Sequence, residues 1–169
     1  MKSVAASGRS DDPTMTGGPL LSSEDKTFYL ELLRAYFDSA NDAIFVLCDE
    51  MKFLLCNRTM ETWLGEYEPD LTRHNERIPI TRFFRGPESE QVFLSRFTQA
   101  LEGRPGRFDC LLQPPQGTPR WVEMHLNKVA MEHGQMVIVV ARDITHERRD
   151  QADMLKLASA IEQTADSVV

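Results

Sequence analysis

Cysteine is scarce in this chain. There are three in 169 residues, with no CxxC pair and no histidine at zinc spacing. That excludes a disulfide framework and a Cys/His zinc site, and leaves free, buried thiols as the expected state. Long apolar runs are missing too. None approaches the roughly 18–20 residues that cross a bilayer, so no membrane partner is expected. Positive charge is in deficit, with 19 Lys and Arg against 26 Asp and Glu and a net charge of −7. A nucleic-acid-binding face needs clustered Lys and Arg, so that class is set aside. The first residues lack the apolar core of a signal peptide. Residues 1–22 read as a disordered lead-in, and a cytoplasmic location is the expectation. No Walker A, GxSxG or HExxH pattern occurs, and the acids Glu61 and Glu123 read as surface residues. Catalysis by this chain is therefore not expected.

What is present is ordinary globular material, 41% hydrophobic and 27% charged, and the length suits one domain. Ser22, Ser23, Glu24 and Asp25 open a helix that carries Phe28, Leu32, Leu33, Tyr36 and Phe37 to about Ala40. Ala43 to Cys48 and Lys52 to Cys56 read as strands around a turn at Asp49, Glu50 and Met51. Asn57 caps a short helix with Met60, Trp63 and Leu64 that stops at Gly65. Glu66 to Pro79 is polar and irregular, and Ile80 to Phe84 forms a helical turn. Pro87 opens a helix with Phe93, Phe97 and Leu101 on one stripe, ended by Gly103. Three strands follow at Arg107 to Gln113, Thr118 to Asn127 and Gln135 to Arg142, and then a helix from His146 to about Thr164. Hairpins at both ends with helices between them predict an α+β fold, one antiparallel sheet with helices on one face.

A weak internal repeat frames this order. Leu157 to Val169 parallels Leu33 to Phe45 at a constant offset of 124 residues, each a helix running through an Asp-containing turn into a β-branched or apolar strand. The expectation is one complete module followed by the start of a second at residues 165–169.

Five local stretches resemble the PAS domain, a sensory module of many bacterial signalling proteins. They are FDSANDAIFVL (Phe37 to Leu47), CNRTMETWLG (Cys56 to Gly65), LEGRPGRF (Leu101 to Phe108), PRWVEM (Pro119 to Met124) and ARDIT (Ala141 to Thr145). The resemblance implies a five-stranded sheet in the order 2-1-5-4-3 over residues 41–145. It also implies a pocket between helices and sheet, and signal output through Asp143, Ile144 and Thr145 into the helix at 146–164. The effector of such modules is a histidine kinase, a diguanylate cyclase or a cyclic-dinucleotide phosphodiesterase.

Alternation along the fourth strand puts Val122, Met124 and Leu126 on one face and Trp121, Glu123, His125 and Asn127 on the other. The last strand is apolar on both faces, and the resemblance turns Val137, Val139 and Ala141 inward. Met60, Trp63, Phe84, Phe93 and Phe97 complete the candidate pocket lining for a small-molecule ligand, and a dry core fits the same residues. No cofactor is the first expectation. Non-covalent FAD is the alternative, stacked on Trp63 or Trp121. Photoactive flavin-binding members carry a reactive Cys in an Asn-Cys-Arg-Phe-Leu-Gln motif and a Gln where this chain has Ala141, so adduct chemistry is not expected. Haem would rest on His74 alone, since the long helix lacks histidine. Arg77, Arg82 and Arg85 near the expected mouth are the weak candidates for holding a carboxylate. A homodimer is expected through the N-terminal helix, the C-terminal helix, or both. The latter carries a short seam at Met154, Leu157, Ile161 and Ala165.

Overall fold

The computed structural model describes residues 22–65, 78–115, 117–131 and 134–166. The lead-in at 1–21, most of the irregular segment, its His74 and Arg77, the turn residue His133, and residues 167–169 of the expected second repeat lie outside them. The described residues fall into two units that divide between Leu33 and Arg34.

Helix α1 spans Ser23–Ser39. It starts at a reciprocal cap, in which the Asp25 N–H donates to Ser22 Oγ at 3.1 Å and the Ser22 N–H donates to Asp25 Oδ2 at 3.1 Å. None of its residues is buried. Phe28, Leu30, Leu33 and Tyr36 are all exposed, Tyr36 by 78%.

The second unit is built on strands β1 (Ala43–Cys48), β2 (Phe53–Cys56), β3 (Gly106–Leu112), β4 (Arg120–Met131) and β5 (Gly134–Asp143). They form one antiparallel sheet in the order β2-β1-β5-β4-β3, the order that the resemblance implies. Helices α2 (Arg58–Leu64) and α3 (Pro87–Leu101), with a 3₁₀ turn at Ile80–Phe83, supply most of the other buried side chains. The long helix α4 (Thr145–Asp166) leaves from the end of β5 and takes in the first residues of the expected second repeat.

Strand alternation builds the core. Ala43, Phe45 and Leu47 of β1, Phe108, Cys110 and Leu112 of β3, and Val137, Val139 and Ala141 of β5 are buried, while the residues between them are not. α2 adds Met60, Trp63 and Leu64, and α3 adds Phe93, Phe97 and Ala100. Burial of this apolar set is the main term favouring the fold.

β4 corrects an expected boundary. It runs on to Met131, with Lys128 to Met131 paired to Val137 through Gly134 of β5. Backbone pairing continues there after the apolar alternation has ended. The side-chain pattern marks where the strand leaves the core, not where it stops.

Candidate functional site

Asn57 is the buried polar residue among the described ones, and it joins three elements. Its Oδ1 accepts the N–H groups of Ile44 at 2.9 Å and Met60 at 3.1 Å. Its Nδ2 donates to the carbonyls of Phe37 at 3.1 Å and Asp42 at 3.0 Å. The cap expected from sequence is real, but it also ties the end of α1 and the start of β1 to α2. A cap residue that fills four bonds fixes the register at which α2 approaches the sheet.

Above that anchor the candidate pocket residues converge. Met60, Phe93, Val122, Met124, Leu126, Val137, Val139 and Ala141 are fully buried in one cluster, with Phe97 and Trp63 nearly so. Phe93 is the hub, its ring 5.7 Å from Phe97, 6.2 Å from Phe108 and 4.8 Å from Phe84. Phe84 is only half-buried at the rim of this cluster. Phe83, which the pattern did not single out, is the residue that reaches the core, 6.0 Å from Phe53. The cause is the three-residue period of the 3₁₀ turn, which puts Ile80 and Phe83 on one side. Phe84 follows it in extended backbone. Arg82 and Arg85 are exposed, and so is His146. His125 lies on the outer face of β4, with Nε2 3.0 Å from Glu123 Oε1. Glu123 is more engaged than a plain surface acid. Hydrogen bonds from His125 and Arg107 hold its carboxyl below the usual range.

Trp63 and Trp121 go to different places. Trp63 packs on the inner side, and the Arg120 guanidinium carbon lies 5.4 Å from its ring centroid. Gly117 runs so close that a Cβ there would come within 2.7 Å of the Trp63 carbonyl. Trp121 is on the opposite face of β4 from the buried cluster, so it does not join Trp63 as a stacking wall.

The exit from the domain is built on Trp121. The Ile144 N–H donates to the Trp121 carbonyl at 2.8 Å, and the Trp121 N–H donates to Thr145 Oγ1 at 3.0 Å. Asp143 Oδ1 accepts the Thr145 N–H at 2.9 Å, and Asp143 Oδ2 accepts from Arg120 Nη1 at 2.7 Å. Partial burial opposes ionisation of Asp143, but the Thr145 bonds and Arg120 outweigh it and lower its pKa. Thus Asp143, Ile144 and Thr145 fasten the start of α4 to β4 by backbone and side chain together.

Burial pushes the Cys110 thiol up to about 12, with Asp109 adding to the effect. No disulfide joins the three cysteines. Among the described residues no group of three or more His, Cys, Asp or Glu could hold a metal, and no helix is long and apolar enough to cross a membrane.

A five-stranded antiparallel sheet in this order, flanked by helices and ending in an Asp-Ile-Thr exit, defines an α+β domain of known type. A PAS-domain family model matches residues 41–146, and the chain belongs to the PAS domain family. Solved structures agree on the fold. The PAS domain of an HTR-like protein from Haloarcula marismortui is 24% identical with a TM-score of 0.58, covering 72% of this chain and 96% of that one. A domain of a sensory box sensor histidine kinase/response regulator from Geobacter sulfurreducens is 22% identical with a TM-score of 0.55, covering 72% and 100%. The PAS domain of nitrogen regulation protein NR(II) from Vibrio parahaemolyticus is 17% identical with a TM-score of 0.53, covering 67% and 98%. No curated protein matches the chain.

Proposed function

We propose that this is a sensory PAS domain that takes a small apolar or aromatic ligand between α2, α3 and the sheet, and passes the event to an effector through α4. One observation carries the reading. β4 lines the buried cluster with Val122, Met124 and Leu126 on one face, and holds the exit through Trp121 on the other. A ligand that displaced the inner side chains would therefore act on the strand that seats α4. The buried set is apolar apart from Asn57, whose bonds are filled. That favours an apolar molecule over a charged one. The effector would be a histidine kinase, a diguanylate cyclase or a cyclic-dinucleotide phosphodiesterase. FAD or haem would make the domain a redox sensor instead.

The second reading is a ligand-free dimerisation module. The apolar side chains that α1 exposes favour it, as do those of Met154, Leu157 and Ile161 on α4. Near-ultraviolet and visible absorbance of the purified chain, with native mass spectrometry, separates these readings. A co-purified molecule that disappears in Met124→Trp supports the sensor. A colourless dimer without ligand, which Leu157→Asp with Ile161→Asp turns into monomer, supports the module.

A further inference from the structure

Beyond Thr145, α4 touches the sheet again at Arg148. Its Nη2 donates to Asp109 Oδ2 on β3 at 2.7 Å. Its guanidinium carbon lies 4.0 Å from the centroid of the Trp121 ring on β4. From residue 149 to 163 every side chain of α4 is exposed. The helix therefore meets the sheet at its first residue and again one turn later.

We propose that Arg148 is a clamp that sets the direction in which α4 leaves the sheet, and that opening it is the step by which a change inside the domain frees the helix. The proposal rests on reading α4 as the output element. Two points define a direction, whereas one leaves a swivel. Thr145 supplies the first point by bonding the Trp121 backbone, and Arg148 supplies the second by covering the Trp121 ring. One residue of β4 thus seats both.

The register connects this outer clamp to the inner face. Cys110 of β3 pairs with Val122 of β4, and both are buried in the cluster. Asp109 and Trp121, the two arms of the clamp, are their immediate chain neighbours on the outer face. A displacement of the Cys110–Val122 pair from inside moves both arms. Glu123, the cross-strand neighbour of Asp109, is already occupied by Arg107 and His125. The clamp is also of the right strength to act as a switch. A partly exposed ion pair is weak, and a guanidinium on an aromatic face adds a moderate term. Together they bias the helix without locking it.

Hydrogen exchange of the full chain, read by peptide mass spectrometry without ligand or effector, tests this. Arg148→Ala and Asp109→Asn should each speed exchange severalfold at residues 147–152 and leave β1 and β5 unchanged. The double variant should be no faster than Arg148→Ala alone, and Arg148→Lys should recover part of the protection. Unchanged exchange in α4, additive acceleration, or acceleration spread equally through β5 would overturn the clamp. None of these outcomes depends on whether the pocket holds a ligand, so the clamp and the sensor reading can fail separately.

Discussion

β4 carries two different chemistries on its two faces. Inward, Val122, Met124 and Leu126 have no solvent exposure and belong to the buried apolar cluster. Outward, Trp121, Glu123 and His125 are partly exposed and engaged with Thr145, Arg107, Arg148 and each other. The strand's pleat puts the two sets within one residue of each other. The inner face holds the domain together through apolar burial. The outer face holds the start of α4 through Trp121. Such a strand can carry a signal, because a shift of its backbone moves both faces while only one has to bind anything.

The sharpest way to break that comparison is to truncate neighbouring residues on opposite faces. Met124→Ala should cost about 2–5 kcal/mol, from lost burial plus the cavity left in a packed cluster. His125→Ala, one residue along, should stay within about 0.5 kcal/mol. Urea denaturation of both variants measures the contrast. Equal costs would mean that the two faces are not divided as described.

A smaller effect comes from acid. The pKa of Asp143 is lowered in the folded chain by Thr145 and Arg120, against the opposing effect of burial. An acid with a depressed folded pKa stabilises the protein above its unfolded value, about 3.9. That contribution is lost as pH falls through the folded value. Stability should therefore drop below about pH 4, and Asp143→Asn should flatten part of the drop while lowering stability at neutral pH. Denaturation midpoints at neutral pH and at about pH 3.5 give the difference, and parallel curves for wild type and variant would remove Asp143 from the acid response.

Much of this was legible in the sequence, for identifiable reasons. The strands β1 and β3, the Asn57 cap, and the stops at Gly65 and Gly103 announce themselves by local chemistry that tertiary contacts do not override, whereas the Asp143-Ile144-Thr145 exit was legible only through its resemblance to a family. Strand alternation separates Met124 from His125 directly. What was hidden depends on distant partners. Nothing near Phe83 says that a 3₁₀ turn will bury it beside Phe84, because that period follows from how the turn docks on the neighbouring strands. Asn57 reads as a cap for one helix, and only the fold shows that the same amide holds Phe37 and Asp42. Arg148 reads as one charge in a charged run, and only the pairing of β3 with β4 brings Asp109 and Trp121 together beneath it.

The finest test of the two faces is chemical. Cys110 points inward from β3, and burial pushes its thiol up to about 12. Cys48 lies on the outward face of β1 and is half-buried. Alkylation requires both access and thiolate. At mildly alkaline pH, Cys48 should be modified first in the folded chain. Cys110 should react only as fast as the chain opens, and at the same rate as Cys48 once denaturant is added. Peptide mapping over a time course reads this order. Destabilisation by Met124→Ala should speed Cys110 in step with the unfolded population and leave Cys48 unaffected. If Cys110 reacted as fast as Cys48 in the folded wild type, the inner face would be open to solvent, and a sealed apolar pocket could not be placed there.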